Sequence, residues 1–396
     1  MNDPKLLVYC SLFPSKIRPT AGVFIRERMF RVGQHIPIVV VSPIPWFPFQ
    51  GIIRKWKPHY RPQPDKTEIQ QGVQVYYPRF LSVPGFFRSW DGFFMALGSL
   101  STLRQLKNEF NIIDSHFAYP DGFAATLLGK WFKMPVTITL RGTEVPLAKI
   151  PARKTRMLKA LDAATRIFSV ADSLKQHVGI LGADKNKIRV VGNGVDIAKF
   201  YPLDKSSMRE TLNIPEHATV LISVGGLVER KGFHRVIEVL PEIVKQYPDL
   251  IYLIVGGESA EGNIKAQLQK QVKELKLDAH VRFLGSLDSA ELKKPLSSAD
   301  LFVLATANEG WANVFLEAMA CGLPIVTTDV GGNKEVVNSD DLGIIVPFSD
   351  KQALTNALLQ AIKNDWDNDG IIKYAEDNAW DTRVEILLDE FQKIIK

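Results

Sequence analysis

Short, nearly unbroken apolar runs alternate with segments whose apolar positions recur every three or four residues. "KLLVYC", "IPIVVVS", "PVTITLR", "RIFSV" and "KIRVVGNGV" read as strands in the first half, with helical "GVFIRERMFRVGQ", "FAATLLGKWF" and "RMLKALDAAT" between them. The second half repeats the rhythm with "TVLISVGG", "LIYLIVGG", "VRFLG", "DLFVLATA", "PIVTTDVGG" and "GIIVPF" as strands. These runs are too continuous for sheets with one wet face. They suit parallel sheets covered by helices on both sides, and the β/α alternation predicts α/β doubly wound sheets. "GNGVDIAKFYPLDKSSMRETLNIPEHA" is rich in Gly, Pro, Asn and Asp and reads as a linker. The boundary falls near Val195, so residues 1–195 and 196–377 form two domains whose sheets would face each other across a cleft, with ligands beyond the carboxyl ends of the strands.

One stretch breaks the rhythm. Between Pro43 and Gly98, Trp46, Phe47, Phe49, Trp56, Phe86, Phe87, Trp90, Phe93 and Phe94 mix with Arg54, Lys55, Lys57, Arg61 and Arg88. It reads either as an excursion packed on its own domain or as a patch for a membrane surface. Charge fits the second reading weakly. Lys and Arg exceed Asp and Glu by six, interspersed along the chain, which suits an anionic ligand or lipid and carries no nucleic-acid signature. Cys10 and Cys321 belong to no disulfide or zinc spacing, the amino terminus lacks signal-peptide features, and no run of about twenty apolar residues occurs. The expected location is the cytoplasm, with a peripheral place on the inner face of the membrane.

The candidate chemistry sits at strand ends. After "DLFVLATA" come Glu309 and Gly310, and a helix is expected to start near Asn313 as N-cap, with Glu317 about one turn in. The N–H groups of Trp311, Ala312, Asn313 and Val314 would make an anion site. The two acids do not suit a glycosidase pair, whose carboxyls lie about 5–5.5 Å apart in retaining enzymes, because eight helical residues rise about 12 Å. They read as two separate hydrogen-bonding acids along one ligand, or as one capped and one solvated helix glutamate. Lys231, beside Arg230, ends the loop of "SVGGLVERKGF", where an ammonium could meet a phosphate. No Walker motif and no GxGxxG after the first strand is present. Glycine pairs at Gly256–Gly257 and Gly331–Gly332, and Gly22 before a helix, could let backbone approach a ribose or diphosphate. His116, Asp121, Arg141 and Glu144 end two strands of the first half and would be offered to the cleft, with His116, Asp121 and Glu144 on the acceptor side. "DWDNDGIIKYAE" satisfies an EF-hand pattern, yet has no partner loop and carries Lys373 at its ninth position. Asp369 capping a helix is the preferred reading.

Together "VGNGVDIAKFYP", "SVGGLVERKGF", "LIVGG", "VRFLG", "ANEGWANVFLEAMACGLPIVTTDVGGNKEVV" and "GIIVPFSD" resemble glycosyltransferase family 4. "GVFIRERMF", "SHFAYPDGFAA" and "TLRGTEV" resemble its branch acting on bacterial surface polysaccharide and teichuronic acid. The resemblance implies the GT-B fold and a retaining glycosyltransferase that takes a nucleotide-diphosphate sugar, needs no bound metal, and delivers the sugar to a saccharide or lipid-linked acceptor. It implies Glu309 beside the donor sugar with the N–H groups of the Gly310–Asn313 turn, Glu317 on the ribose, Lys231 on the diphosphate, and Gly22 facing that diphosphate. It also implies a final helix, within 378–396, crossing back onto the first domain. Three positions depart from the pattern. Gly226 stands where an arginine usually partners the lysine, Arg141 where many members have a histidine, and Ala171 where a serine is common. Arg141 or Arg230 would then stabilise the leaving diphosphate. A sugar-nucleotide epimerase or hydrolase on the same fold and a degenerate nucleotide-binding subunit are the alternatives.

Overall fold

The computed structural model describes residues 3–19, 21–56, 60–85, 88–259 and 261–396; Lys57, Phe86 and Phe87 of the aromatic and basic stretch lie outside the described residues. The chain forms two compact units, Met1–Asn193 with Arg383–Lys396, and Gly194–Thr382.

The strands of the first unit are β1 (Leu6–Tyr9), β2 (Ile38–Val41), β3 (Ile44–Trp46), β4 (Thr67–Gln70), β5 (Val73–Tyr76), β6 (Arg79–Leu81), β7 (Ile112–His116), β8 (Val136–Leu140), β9 (Arg166–Ser169) and β10 (Ile188–Val190). Eight of them make one sheet in the order β10-β9-β8-β7-β1-β2-β5-β4, and β3 pairs with β6 in a small parallel sheet. Leu7 and Tyr9 of β1 face one apolar core, Leu6 and Val8 the other. Burial on both faces is what the unbroken apolar run demands. The edge departs from the expected parallel order, because β4 is antiparallel to β5. In its sequence, Thr-Glu-Ile-Gln, the one apolar residue, Ile69, is exposed and Glu68 is buried, so no apolar face announces it.

The second unit holds β11 (Val220–Val224), β12 (Ile251–Val255), β13 (Val281–Gly285), β14 (Leu301–Leu304), β15 (Ile325–Thr328) and β16 (Gly343–Val346), in the order β13-β12-β11-β14-β15-β16. Every pairing is parallel. In each unit the order of the parallel strands reverses once, between β1 and β7 and between β11 and β14, the antiparallel edge strand β4 apart. At such a switch the crossovers leave to opposite faces and open a crevice at the carboxyl ends of the two strands. Lys231 follows β11 and Glu309 follows β14.

The linker reading needs correction. Phe200 and Ile214 are buried in the second unit's core, and between them Lys205–Thr211 is a helix whose cap, Asp204, accepts from the Ser207 amide at 2.8 Å. Helical propensity there is modest, and the segment is held instead by packing against helix Lys293–Ser298 and by the Arg209–Asp300 ion pair at 2.8 Å. The EF-hand-like stretch also folds differently. Asp367, not Asp369, caps helix Asn368–Asp377 through the Gly370 amide at 3.0 Å, and Lys373 pairs with Asp377. Among the described residues no group of three His, Cys, Asp or Glu side chains is gathered to hold a metal, and no helix is long and apolar enough to cross a membrane.

The last helix, Trp380–Ile395, contributes Val384, Leu387 and Phe391 to the core of the first unit. Phe391 meets Phe168 edge-on at 5.6 Å, and Glu390 accepts from Arg166 at 2.7 Å. Removing a buried phenyl ring costs about 3–5 kcal/mol. Phe391→Ala is expected to lower the stability of the first unit by that amount, read as a fall in its urea-unfolding midpoint; a loss below about 1 kcal/mol would contradict this packing.

Candidate active site

In the second unit three loops meet at the switch point. Lys231 ends a single 3-10 turn after β11 and Glu309 lies five residues past β14, yet the ammonium donates to Glu309 Oε1 at 2.6 Å. Arg230 Nη1 donates to the same oxygen at 3.3 Å, and the Thr306 hydroxyl lies 3.2 Å from it, its one proton shared between that oxygen and the Arg230 carbonyl. Glu309 is 8% exposed and Lys231 about twice that, so the pair is largely out of water. Such a pair holds only where further hydrogen bonds support it. Here three donors share one carboxylate oxygen, while Oε2 of Glu309 takes no hydrogen bond among the described residues.

The backbone fixes this arrangement. The Arg230 carbonyl accepts from the Ala307 amide at 2.7 Å and the Thr306 hydroxyl at 3.0 Å, tying the two loops together. Gly331, after β15, has φ of 52° and passes so close to Glu309 that a Cβ there would lie 1.8 Å from its carbonyl oxygen. Only glycine allows that approach. The loop after β12 closes the fourth side. The Gly257 carbonyl accepts from the Leu227 amide at 2.8 Å, and Ser259 lies against Gly226. That loop brings Glu261 to Arg230 in a two-pronged ion pair of 2.6 and 2.7 Å, which raises the arginine pKa and lowers that of the acid.

Several sequence expectations are met differently. The helix runs Asn313–Met319 with Ala312 at its cap and no side-chain cap bond, so Asn313 is the first helical residue and not the N-cap. Asn313 enters the helix directly because Ala312 (φ −85°, ψ 88°) has already left helical backbone. Gly310 and Trp311 form the turn before it, Val314 is half-buried in the first helical turn, and the buried indole N–H of Trp311 has no hydrogen-bond partner. Glu317 is half-buried in the same helix. Of the two arginines offered in place of the one missing at Gly226, Arg230 lies in the same unit as Lys231 and shares Glu309 with it. Glu261 and Thr306 escaped the sequence reading, since neither stands in a motif or at a telling spacing.

In the first unit Gly22 (φ 68°) caps helix Val23–Val32, and a Cβ there would lie 2.1 Å from the Leu12 carbonyl oxygen. Arg141, at the end of β8, donates from Nε and Nη2 to His116 Nδ1 at 3.2 and 3.0 Å and from Nη1 to Asn193 at 3.3 Å. Its guanidinium also lies 5.1 Å from the Phe24 ring. Burial lowers its pKa to about 9, so it stays charged at neutral pH. An Nδ1 that accepts leaves the His116 proton on Nε2, 3.5 Å from Asp114 Oδ2. Burial, with the charges of Arg141 and Arg28, pushes the imidazole well below its ordinary pKa and keeps it neutral.

The acids of this unit correct the expectation that they are offered to an acceptor. Glu144 is fully buried, with Oε2 accepting from the Gly142 and Arg141 amides at 2.8 and 3.2 Å and Oε1 from Ala118 at 3.3 Å. Asp121 is buried and accepts from the Ser11 amide at 2.5 Å; burial raises its pKa to about 7. Both brace loops at the carboxyl ends of β1, β7 and β8, and His116, equally buried, orients Arg141. Ala171 caps helix Asp172–Ile180 without a side-chain acceptor, the bond a serine there would supply.

Comparison with known proteins agrees with this layout. Residues 31–199 match the family described as Glycosyltransferase Family 4 and residues 204–378 that of Glycosyl transferases group 1. TuaC of Bacillus subtilis (strain 168), named for glycosyl transfer in teichuronic acid biosynthesis, is 27% identical over 364 residues, 89% of this chain and 88% of its own. Among solved structures, a sucrose-phosphate synthase from Thermosynechococcus elongatus aligns with a TM-score of 0.80 at 17% identity over 100% of this chain and 99% of that one. HepE of Anabaena, in complex with UDP, aligns with a TM-score of 0.75 at 17% identity over 98% and 100%. At such identities the structural likeness is one of fold. With the two family matches taking up most of its length in the expected order, and the two-sheet architecture shared with these enzymes, the chain belongs to glycosyltransferase family 4, enzymes of GT-B fold.

Proposed function

We propose that this glycosyltransferase moves a sugar, with retention of anomeric configuration, from a nucleotide-diphosphate sugar to an acceptor hydroxyl of a saccharide or lipid-linked chain. The product belongs to a cell-surface polysaccharide or glycolipid, and the enzyme works in the cytoplasm without a bound metal. The observation that carries the reading is the contact of Lys231 with Glu309 at the switch point of the second unit. The UDP in the HepE structure and the teichuronic acid role in the name of TuaC support the donor class and the product class.

The chemistry follows from the donors. Lys231 has three N–H bonds and Glu309 takes one, leaving two for the departing diphosphate. The Val314 amide lies in the first turn of helix Asn313–Met319, whose N–H groups are not used inside the helix, and the indole N–H of Trp311, without a hydrogen-bond partner among the described residues, is another donor nearby in sequence. That helix has seven residues, so aimed donors matter more than its dipole. The charges of Lys231, Arg230, Glu309 and Glu261 cancel in number, so a dianion is not drawn in by net field alone. It is held by donors that are already fixed, each worth about 2.7–4 kcal/mol by analogy with oxyanion holes. Glu309, with Oε1 committed, keeps Oε2 for a sugar hydroxyl. Glu317 takes the ribose hydroxyls. The acceptor hydroxyl attacks from the face the diphosphate leaves, and its proton goes to the leaving phosphate oxygen. The bond to the diphosphate breaks as the new glycosidic bond forms, and no protein base is required.

Lys231→Ala is expected to lower kcat by about a hundredfold or more, measured by release of the nucleoside diphosphate; an unchanged kcat removes Lys231 from this role. Glu317→Ala should chiefly raise the donor KM, because ribose contacts persist from ground state to transition state. A fall in kcat at unaltered KM would assign Glu317 to the reaction step instead. Thermal unfolding with UDP, GDP, ADP and their sugars should show a rise for one nucleotide class, and no rise with any of them would sink the reading.

A further inference from the structure

A second surface of the first unit lies on the excursion between β3 and β6. Strands β3 and β6 are parallel, with Trp46 opposite Leu81 and the Ser82 amide donating to the Trp46 carbonyl at 2.8 Å. The chain therefore leaves both strands at the same edge. The excursion after β3 turns through the short helix Gln50–Ile53 and displays Phe49, Ile52 and Trp56, which are 81%, 48% and 75% exposed. Exposure so high for aromatic side chains means that they stand out from the surface as knobs. Isolated exposed apolar residues are ordinary, but a contiguous set on one small element marks a contact site.

The excursion is built to hold these side chains outward. Arg54 donates to the Tyr60 and Arg61 carbonyls, both at 3.2 Å, fastening the end of the helix to the returning chain. Arg61 donates to the Ser82 carbonyl and lies 5.8 Å from the Phe47 ring, which packs edge-on against Tyr60. Gln63 donates to the Pro45 carbonyl at 3.1 Å, and Gln50 is buried. The polar side chains thus brace the inside, and the apolar ones face water. This inverts the usual arrangement and leaves a set of apolar side chains in water that a contact would cover.

Charge selects the occupant. From Pro43 to Pro64 the chain has no Asp or Glu but four cations, Arg54, Lys55, Lys57 and Arg61. From Arg79 to Trp90, after β6 begins, it again has no acid and carries Arg79 and Arg88. Lys55 and Arg88 are exposed. Protruding apolar side chains on a segment with an excess of cations, of which Arg61 and Arg88 lie near the acid Asp91, match a soft, anionic, partly apolar medium, into which aromatic rings sink while Lys and Arg stay with headgroups. We propose that Phe49, Ile52 and Trp56 insert into the interface of an anionic membrane, with Lys55 and Arg88 against its headgroups. This docking is independent of the assignment of the donor site.

The test is co-sedimentation of the full chain with vesicles of phosphatidylcholine alone and of phosphatidylcholine with phosphatidylglycerol. Binding is expected only to the anionic vesicles, with loss at high salt. The double variant Phe49→Ala, Trp56→Ala should lower partitioning by about tenfold or more while its thermal unfolding stays that of the unaltered chain. Lys55→Glu, at a solvent-exposed position that leaves the apolar knobs in place, should weaken binding to the anionic vesicles as well. Failure to bind anionic vesicles, equal binding to neutral ones, or full binding by the double variant would overturn the proposal. So would concentration-dependent self-association that the double variant abolishes without vesicle binding, since the face would then pair copies of the chain.

Discussion

The contact between the Lys231 ammonium and one oxygen of Glu309 makes a single site out of four loops. Each loop leaves the carboxyl end of a parallel strand, and the sheet order alone decides that the loops after β11 and β14 are neighbours. Once they meet, the remaining features follow in turn. Arg230 is drawn to the same oxygen, Glu261 answers Arg230, Thr306 bonds back to the Arg230 carbonyl, and Gly331 supports Glu309 from below. A buried ion pair with one partner removed leaves an uncompensated charge. The shared carboxylate is therefore both an anchor of the loops and the fixed point from which the ligand donors are set out.

The two units apply one topology to different ends. At the switch of the first, cations and neutral groups are packed inward: Arg141 is wedged between His116, Asn193 and Phe24, and Arg28 is almost wholly buried near Asp114. At the switch of the second, the charged atoms remain partly open. The difference lies in what the carboxylates hold. Glu144 and Asp121 spend their oxygens on backbone amides, which stiffens loops, whereas Glu309 spends one oxygen on cations and keeps the other. The same residue type at a strand end thus serves as a brace or as a ligand group according to whether main-chain donors reach it first.

Much of this was legible in the residues, and the illegible part has a physical reason. Unbroken apolar runs announced the strands of both parallel sheets because burial on two faces leaves no room for polar alternation. The edge pair β4 and β5, half-polar and short, gave no such signal. The motif around Glu309 was readable, but its pairing with Lys231 spans 78 residues and depends on strand order, which no local pattern encodes. Glu261 was invisible for the same reason. The burial of His116, Asp121 and Glu144 could not be read either, since position at a strand end says nothing of which amides lie within reach. In the supposed linker, Gly and Pro marked a real break near residue 194, while Phe200 and Ile214, the apolar residues that fold it onto the second unit, were too sparse to register as periodicity.

The final helix has a bearing on how the chain comes into being. Its buried side chains belong to the first unit, although they are made after the whole of the second. The second unit, by contrast, is one continuous stretch from Gly194 to Thr382. During vectorial synthesis the amino-terminal half must wait, its core open at one side, until residues 383–396 have emerged behind the whole second unit. At about 5–20 residues per second that delay lasts on the order of ten to forty seconds. The half begun first is thus completed after the second, and the intervening exposure of its apolar face is a period in which chaperones would find a ready client.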